Sequence, residues 1–324
     1  MAEMNQVTAI FAASIVVWVV ASCASSPREQ VGSPTDPAEM SADTLEQERA
    51  TTAAQSRVDH RDELTLNFIS GGNFRNYISE HIREQDHWAH SMRMFGTFHN
   101  HMHEMMTDLT RHARDAKGHG ALLPAFAERI SGGDWTAYRE ALESSDEDEA
   151  WTELVLVAEV MHDRVHHAMY KSVAYDIESR GRDVELADYA DDAEPFVSLD
   201  REELSFELAS MEAFRELAWH GHIEGAEWHG AIQGMMVFDE MLYAIMTDWA
   251  AIGAGMEAEA CRPPAFEGRI TRAQWLEYER RVDACDDRAW RELVVVTGLM
   301  HDRIHHLMHA MMVYAAETAE SAGT

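Results

Sequence analysis

Apolar side chains recur every three or four residues along four long stretches of the chain, which is the periodicity of amphipathic α-helices. The first stretch is typical and carries Trp88, Met92, Phe95, Met102, Met106 and Leu109. No stretch shows the two-residue alternation of a half-buried strand. The pattern therefore predicts an all-α protein with long helices over about 85–117, 147–179, 226–254 and 286–317.

Shorter elements are expected between the long helices. An opening helix precedes the first and the third long helix, and a short helix around Tyr138 or Tyr278 precedes the second and the fourth. Thr271 and Gln274 have the spacing of a capping box, in which the two residues bond to each other's backbone at a helix start. Gly71-Gly72 is expected to break the first opening helix.

The second half of the chain repeats the first. Comparison of the chain with itself, at an offset of 140 residues and of 139 further on, pairs identical side chains. The pairs include Trp88 with Trp228, Phe98 with Phe238, Trp135 with Trp275, Tyr138 with Tyr278, Trp151 with Trp290, and His162 with His301. We expect a tandem duplication of a helical-bundle unit, with pseudo-symmetric copies over 60–180 and 200–318 and an acidic connector over 181–199. The copies form either two bundles or one fused bundle with pseudo-twofold symmetry.

Two cysteines are expected to form a disulfide. Cys261 and Cys285 flank the short helix of the second copy, and the equivalent positions of the first copy are Ala121 and Ser145. Both thiols are thus missing from the first copy together, as expected of a bonded pair. The bond would close a loop of about 24 residues and contribute roughly 3–4 kcal/mol. A two-cysteine metal site is the alternative, but such ligands lie closer together in sequence.

The N-terminus has the pattern of an export signal. Val7 to Ala21 form an apolar run of 15 residues, too short to span a bilayer comfortably but suitable for a signal-peptide core. The run ends in Val20-Ala21-Ser22-Cys23, which resembles the lipobox of bacterial lipoproteins. The resemblance implies removal of a signal peptide over 1–22 and attachment of lipid to Cys23.

The segment after the cysteine fits this interpretation. Ala24 and Ser25 imply, by the same resemblance, an outer-membrane lipoprotein of the cell envelope that faces the periplasm or the cell exterior. Residues 23–59 are rich in Pro, Ser, Thr, Glu and Gln, which is typical of a flexible tether. One departure from the signal pattern is that Met1 to Gln6 lack Lys and Arg and contain Glu3. This departure leaves open a misassigned start or an uncleaved membrane anchor.

Charge narrows the range of partners. The chain carries 58 Asp and Glu against 26 Lys and Arg, for a formal net charge of -32. Such a surface repels nucleic acid and anionic lipid, so we expect no nucleic-acid partner. It favours cations, and a lipid anchor would hold them near a membrane. A protein partner in the envelope is an open alternative.

Histidines supply the candidate chemistry. His162 and His166 lie four residues apart and therefore share one face of a predicted helix, and His301 and His305 repeat the pair. Two imidazoles at this spacing can hold zinc, copper, nickel or iron. Histidines in this arrangement also occur simply as the hydrogen-bonded polar edge of a helical core.

His99 and His103 form another pair on the preceding long helix. If the two long helices are antiparallel, both histidine pairs lie about 25 Å from the shared end of the helices, at 1.5 Å per residue. The four imidazoles would then meet across one helix interface. Glu159 lies one turn before the second pair and could add a carboxylate ligand.

The second copy differs at these positions. It keeps His301 and His305 but has Asp239 and Tyr243 in place of the other two histidines, and Gly298 in place of the glutamate. Asp239 with the two histidines would still suit a transition metal that has an open coordination position. The sequence therefore predicts a second and different metal site.

Three functions are compatible with these patterns. The leading hypothesis is an envelope lipoprotein that binds a transition metal ion, zinc or copper, for buffering, sensing or delivery. The second is a non-catalytic structural or interaction module with hydrogen-bonded core histidines. The third is a di-iron-type oxidoreductase that uses Glu159 and the four histidines of the first copy. The histidines are loosely similar to those of haemerythrin-like and ferritin-like bundles, but the full ligand patterns of those families are missing from the sequence.

Overall fold

The computed structural model describes residues 68–117, 132–144, 148–190, 208–220, 225–266 and 270–322. Over this part of the chain the regular secondary structure is helical throughout, which confirms the prediction of an all-α protein. Its helices are α1 (Gly71–His81), α2 (His87–Lys117), α3 (Gly132–Glu143), α4 (Glu149–Arg180), α5 (Met211–His220), α6 (Ala226–Ala254), α7 (Arg272–Val282) and α8 (Arg288–Ala322), with short 3-10 turns at Leu186–Asp188 and Glu259–Cys261.

Several of the sequence-based predictions concern residues outside the described ranges. These are the signal peptide over 1–22, the lipidation of Cys23, the tether over 23–59 and residues 191–199 of the acidic connector. Among the helices that are described, none combines the length and the apolar character that crossing a bilayer requires.

Local sequence signals set the ends of the helices. The side chain of Asp148 accepts a hydrogen bond from the backbone N–H of Trp151 and so caps the start of α4. The same helix ends at Gly181, whose φ of 71° lies in the left-handed region that favours glycine. The predicted capping box of Thr271 and Gln274 is present at the start of α7, with both of its hydrogen bonds.

Gly71 begins the first helix and does not break it, which corrects the expectation for the Gly71-Gly72 pair. The side chain of Ser70 accepts a hydrogen bond from the backbone N–H of Asn73 and caps α1. A Cβ atom added to Gly71 would lie 2.6 Å from Nδ1 of His99, closer than side chains approach one another. A glycine here therefore allows α1 to pack directly against the imidazole.

Helices α2 and α6 pack closely along each other. The ring of Trp88 lies 6.3 Å from that of Trp249, and the ring of Phe98 lies 4.7 Å from that of Phe238. Because a residue near the start of α2 faces one near the end of α6, the two helices run antiparallel. Phe98 and Phe238 are equivalent in the two halves of the sequence, so the crossing relates the halves to each other.

Helices α4 and α8 form the other close pair. The ring of Trp151 lies 5.0 Å from that of Tyr314, and the ring of Trp290 lies 5.1 Å from that of Tyr175. The two contacts are the same one made twice, since each residue of one pair is offset by 139 from its counterpart in the other. This pair of helices is also antiparallel.

The two close pairs combine into a single bundle. Helix α1 packs against α2 and α4, and α5 packs in the same way against α6 and α8. One continuous cluster of buried apolar side chains runs through both halves of the described chain. Residues 60–324 accordingly form one compact unit, which corresponds to the fused bundle among the two arrangements expected from the sequence.

The predicted disulfide is confirmed. Cys261 and Cys285 are bonded, and their Cα atoms lie 4.9 Å apart. The bond joins the segment after α6 to the turn between α7 and α8. The same region is held by Tyr278, whose hydroxyl donates to the backbone oxygen of Cys261 at 2.9 Å and accepts from Nε1 of Trp290 at 2.9 Å.

Replacing both cysteines with serine is expected to lower the free energy of unfolding by about 3 kcal/mol, because the unfolded chain regains the freedom that the closed loop removes. Urea unfolding followed by circular dichroism measures this difference. The wild-type protein unfolded under reducing conditions serves as the control and should match the double variant. Equal stability of the oxidised wild type and the variant would contradict the prediction.

Candidate metal centre

Four histidines meet between α2 and α4, at the common level that the sequence predicts. His99 and His103 lie on one face of α2, and His162 and His166 lie on the facing side of α4. The ring centroids of His99 and His166 are 4.7 Å apart, and those of His103 and His162 are 5.1 Å apart. This crossed pairing, first with last, is the register of two antiparallel helices.

Three of these imidazoles could hold one metal ion. His99, His103 and His166 each bring a ring nitrogen within 4.8 Å of the other two, and all three side chains are buried. Nitrogens bound to one tetrahedral zinc ion at 2.0–2.1 Å stand about 3.3 Å apart. Small rotations of the rings would therefore be enough to gather these ligands around an ion.

The orientation of His166 is fixed by the segment before α1. Its Nδ1 lies 2.7 Å from the backbone oxygen of Ile69, and a carbonyl oxygen can only accept, so Nδ1 carries the proton. The ring of Phe68 stacks on the imidazole with centroids 4.2 Å apart. Nε2 is consequently the unprotonated nitrogen and points into the cluster. A metal-binding histidine commonly donates its second nitrogen in this way.

His162 completes the group as a possible fourth ligand. Its Nε2 lies 3.1 Å from Nε2 of His166, a separation close to that of two nitrogens on one metal ion. In the absence of an ion, the same contact is a hydrogen bond in which His162 donates to the unprotonated nitrogen of His166. Nδ1 of His162 lies 3.5 Å from the carboxylate of Asp163, which would offset part of the charge of a bound cation.

His99 has buried polar atoms that the protein does not satisfy. The residue is 6% exposed, and neither ring nitrogen has a hydrogen-bond partner within the protein. Burying a polar group without a partner costs free energy, and nearly all buried polar atoms in proteins are paired. Coordination to a metal ion would give one of these nitrogens a partner.

The surroundings keep the four imidazoles neutral. Burial lowers the pKa of His162 to about 3, and the neighbouring His103 adds to the effect. Burial also lowers the pKa of His99 and of His166, and in each case the nearby imidazoles lower it further. A neutral imidazole has a nitrogen lone pair available, which is the form that binds a metal.

Glu159 does not join this group. Its carboxylate lies 2.6 Å from Nε of Arg139 and so links α4 to α3. At the equivalent positions of the second half stand Gly298 and Glu279, and a Cβ atom on the glycine would collide with the glutamate carboxylate. The glutamate therefore ties a short helix to the bundle, and the ligands that meet between α2 and α4 are all nitrogens.

The equivalent site in the second half is arranged differently. Nδ1 of His305 donates to the backbone oxygen of Ala209 at 2.7 Å, which repeats the contact between His166 and Ile69. Nε2 of His301, however, lies 3.1 Å from the hydroxyl of Tyr243.

The carboxylate of Asp239 is fully buried and lies 3.5 Å from Nε2 of His305. Of the ligand sets predicted from the sequence, only the one in the first half brings three ligand atoms within 4.8 Å of one another in the described structure. Asp239, His301 and His305 do not meet this condition. Their predicted role as metal ligands therefore stays a prediction.

Two features of the first site could not be found from histidine spacing. The backbone oxygen of Ile69 orients His166, and Gly71 leaves space for His99. A backbone acceptor leaves no trace in the side-chain sequence. The glycine does leave one, since its position at the start of α1 is compatible with close packing as well as with a helix break.

Comparison with known protein families, with curated proteins and with solved structures finds no match for this chain. The geometry of the site is therefore the basis for a functional proposal.

Acid is expected to destabilise the metal-free protein through these histidines. An unfolded histidine has a pKa of about 6.5, whereas burial lowers the pKa of His162 to about 3. Below about pH 6.5 the unfolded chain therefore binds protons that the folded chain does not, and the free energy of unfolding falls as the pH falls towards 4.

Urea unfolding midpoints over this pH range measure the effect. The His162→Gln variant should show a shallower dependence on pH, because it removes one of the groups responsible. The matched control is His101→Gln on α2, whose imidazole is 38% exposed and contacts Glu104. Identical pH profiles for both variants and the wild type would count against this explanation.

Proposed function

We propose that the protein binds one transition metal ion tightly between α2 and α4, through His99, His103 and His166 with His162 as a fourth ligand. The observation that supports this most is the burial of His99 with both ring nitrogens lacking hydrogen-bond partners inside the protein. A core whose histidines served packing alone would be expected to pair those nitrogens. Coordination explains both the burial and the convergence of the rings.

The donor set favours zinc or copper. Imidazole nitrogens suit both metals, and three histidines with one further ligand form a known tetrahedral zinc arrangement. Di-iron centres in helical bundles depend on several carboxylate ligands. Because Glu159 is paired with Arg139, no carboxylate belongs to the group in the described structure, and the oxidoreductase hypothesis loses its main ligand.

The burial of the ligands suggests a storage or buffering role. The four histidines are at most 9% exposed, so exchange of a bound ion with solvent would require movement of α1 or of side chains. We place this function in the cell envelope, on a lipoprotein anchored to the outer membrane through Cys23. The support for this location is the lipobox-like N-terminus, and the net charge of -32 would attract cations to the protein.

We further propose that the bundle arose by tandem duplication. The support lies in contacts made once by each half, such as Trp151 with Tyr314 and Trp290 with Tyr175. The histidine-to-carbonyl bonds of His166 and His305 are a second such pair. In this proposal the first copy binds metal, and the second copy keeps the scaffold with a hydrogen-bonded core in place of the metal site.

Replacing His99 with Gln should reduce zinc affinity by at least about 100-fold, because loss of even an outer-shell partner of a metal ligand costs about 10–100-fold. Elemental analysis of protein purified without an affinity tag, followed by zinc titration of the metal-free protein, measures the loss. His101→Gln is the matched control, since His101 lies on the same helix but outside the cluster. Equal affinity in the two variants would favour the structural or interaction module.

The second half offers a test by gain of function. The double substitution Asp239→His and Tyr243→His gives that half the ligand types of the first on a matching scaffold. We expect bound zinc to increase by about one ion per chain, since four histidines make a complete tetrahedral set. Metal analysis of the wild type and the double variant, loaded in parallel, measures the increase. An unchanged zinc content would show that residue types alone do not create the site.

A further inference from the structure

A second group of histidines lies at the surface, where α2 begins beside the end of α6. Nδ1 of His87 is 2.7 Å from Oδ1 of Asp248, and Nδ1 of His90 is 2.5 Å from Oδ2 of the same carboxylate. The two imidazoles lie on successive turns of α2, and the carboxylate comes from α6. Two histidines thus approach one aspartate from the same side.

This group is open to solvent. The side chains of His87 and His90 are 67% and 62% exposed, whereas that of Asp248 is 11% exposed. The imidazoles can therefore rotate freely around a carboxylate that is held in place. The group is separate from the buried cluster, because His90 and His99 are nine residues apart, or about 14 Å along the helix axis.

The neighbouring contacts fix the two helices at this level. Nε1 of Trp249, the residue after Asp248, donates to the hydroxyl of Ser91 on α2 at 3.0 Å. The same indole stacks on Trp88, and both tryptophans are fully buried. The aspartate is consequently held in register with the histidines by packing that does not involve the histidines themselves. A ligand set held in this way is partly preorganised.

We propose that His87, His90 and Asp248 form a second, solvent-accessible site for a divalent transition metal ion such as zinc. Two histidines and one carboxylate are a common ligand set for such ions and leave further positions for water. The carboxylate supplies one negative charge against the two positive charges of the ion.

The present hydrogen bonds already place each nitrogen at a suitable distance from the carboxylate. Ligands that share one zinc ion stand about 3 Å apart, and the two nitrogen-to-oxygen distances are 2.7 and 2.5 Å. For coordination, each ring moves its proton from Nδ1 to Nε2 by exchange with water. No oxidation and no covalent bond to carbon is involved.

The other half of the molecule provides an internal control. Asp108 is the equivalent of Asp248, but the positions of the two histidines are taken by Glu227 and Gly230. The carboxylate of Asp108 lies 2.5 Å from where a Cβ atom on Gly230 would stand. An aspartate in the same place on the same scaffold therefore lacks imidazole ligands, so only one such site is expected per chain.

The experiment is a zinc titration of the metal-free full chain by calorimetry, with the double variant His87→Gln and His90→Gln beside the wild type. We expect the wild type to show a weaker class of site in addition to the buried one. The double variant should lose this class, with affinity reduced at least about 10-fold. The Asp108→Asn variant should keep it, and circular dichroism confirms that each variant is folded.

The outcome separates this proposal from the buried site. A His99→Gln variant should keep the weaker class of site while losing the tight one, so the two sites succeed or fail independently. If the double variant binds zinc with the same stoichiometry and affinities as the wild type, the contacts of His87 and His90 with Asp248 are hydrogen bonds only and the proposal is wrong. Loss of the weaker class in Asp108→Asn as well would overturn it in the same way.

Discussion

The burial of four imidazoles between α2 and α4 is the constraint on which the arrangement of this molecule depends. A buried imidazole must remain neutral and must find a partner for each polar nitrogen, or the fold loses free energy. The structure meets this demand for His166 with the backbone oxygen of Ile69, and for His162 with His166 itself. It does not meet it for His99. The unmet demand is what makes a bound cation the most economical explanation of the site.

The two halves show how one scaffold supports different chemistry. Both have a histidine whose Nδ1 donates to a backbone oxygen before the opening helix, and both have a second histidine one turn earlier. In the second half Tyr243 bonds to His301 and so occupies the nitrogen that would bind a metal. Helix packing is unaffected by this difference, because the aromatic contacts between α4 and α8 are repeated from each side. The scaffold therefore tolerates a change of site without a change of fold.

The surface group at His87 shows a different use of the same packing. Tight contact between α2 and α6, through Trp88 and Trp249, brings residues that are far apart in sequence to one edge of the bundle. The buried site is closed by α1, whereas this edge is open to water. The two groups therefore differ in access more than in ligand type, and the difference follows from which helices meet at each place.

The sequence by itself determined the helices, the pairing of Cys261 with Cys285, and the level at which the histidines of α2 and α4 meet. Periodicity, equivalent positions and rise per residue are local properties, so they can be read along the chain. Only the tertiary structure decided that Glu159 pairs with Arg139 and not with the histidines, and that Asp248 lies beside His87. Both outcomes depend on which surfaces of different helices come into contact, and side-chain spacing within one helix carries no information about that.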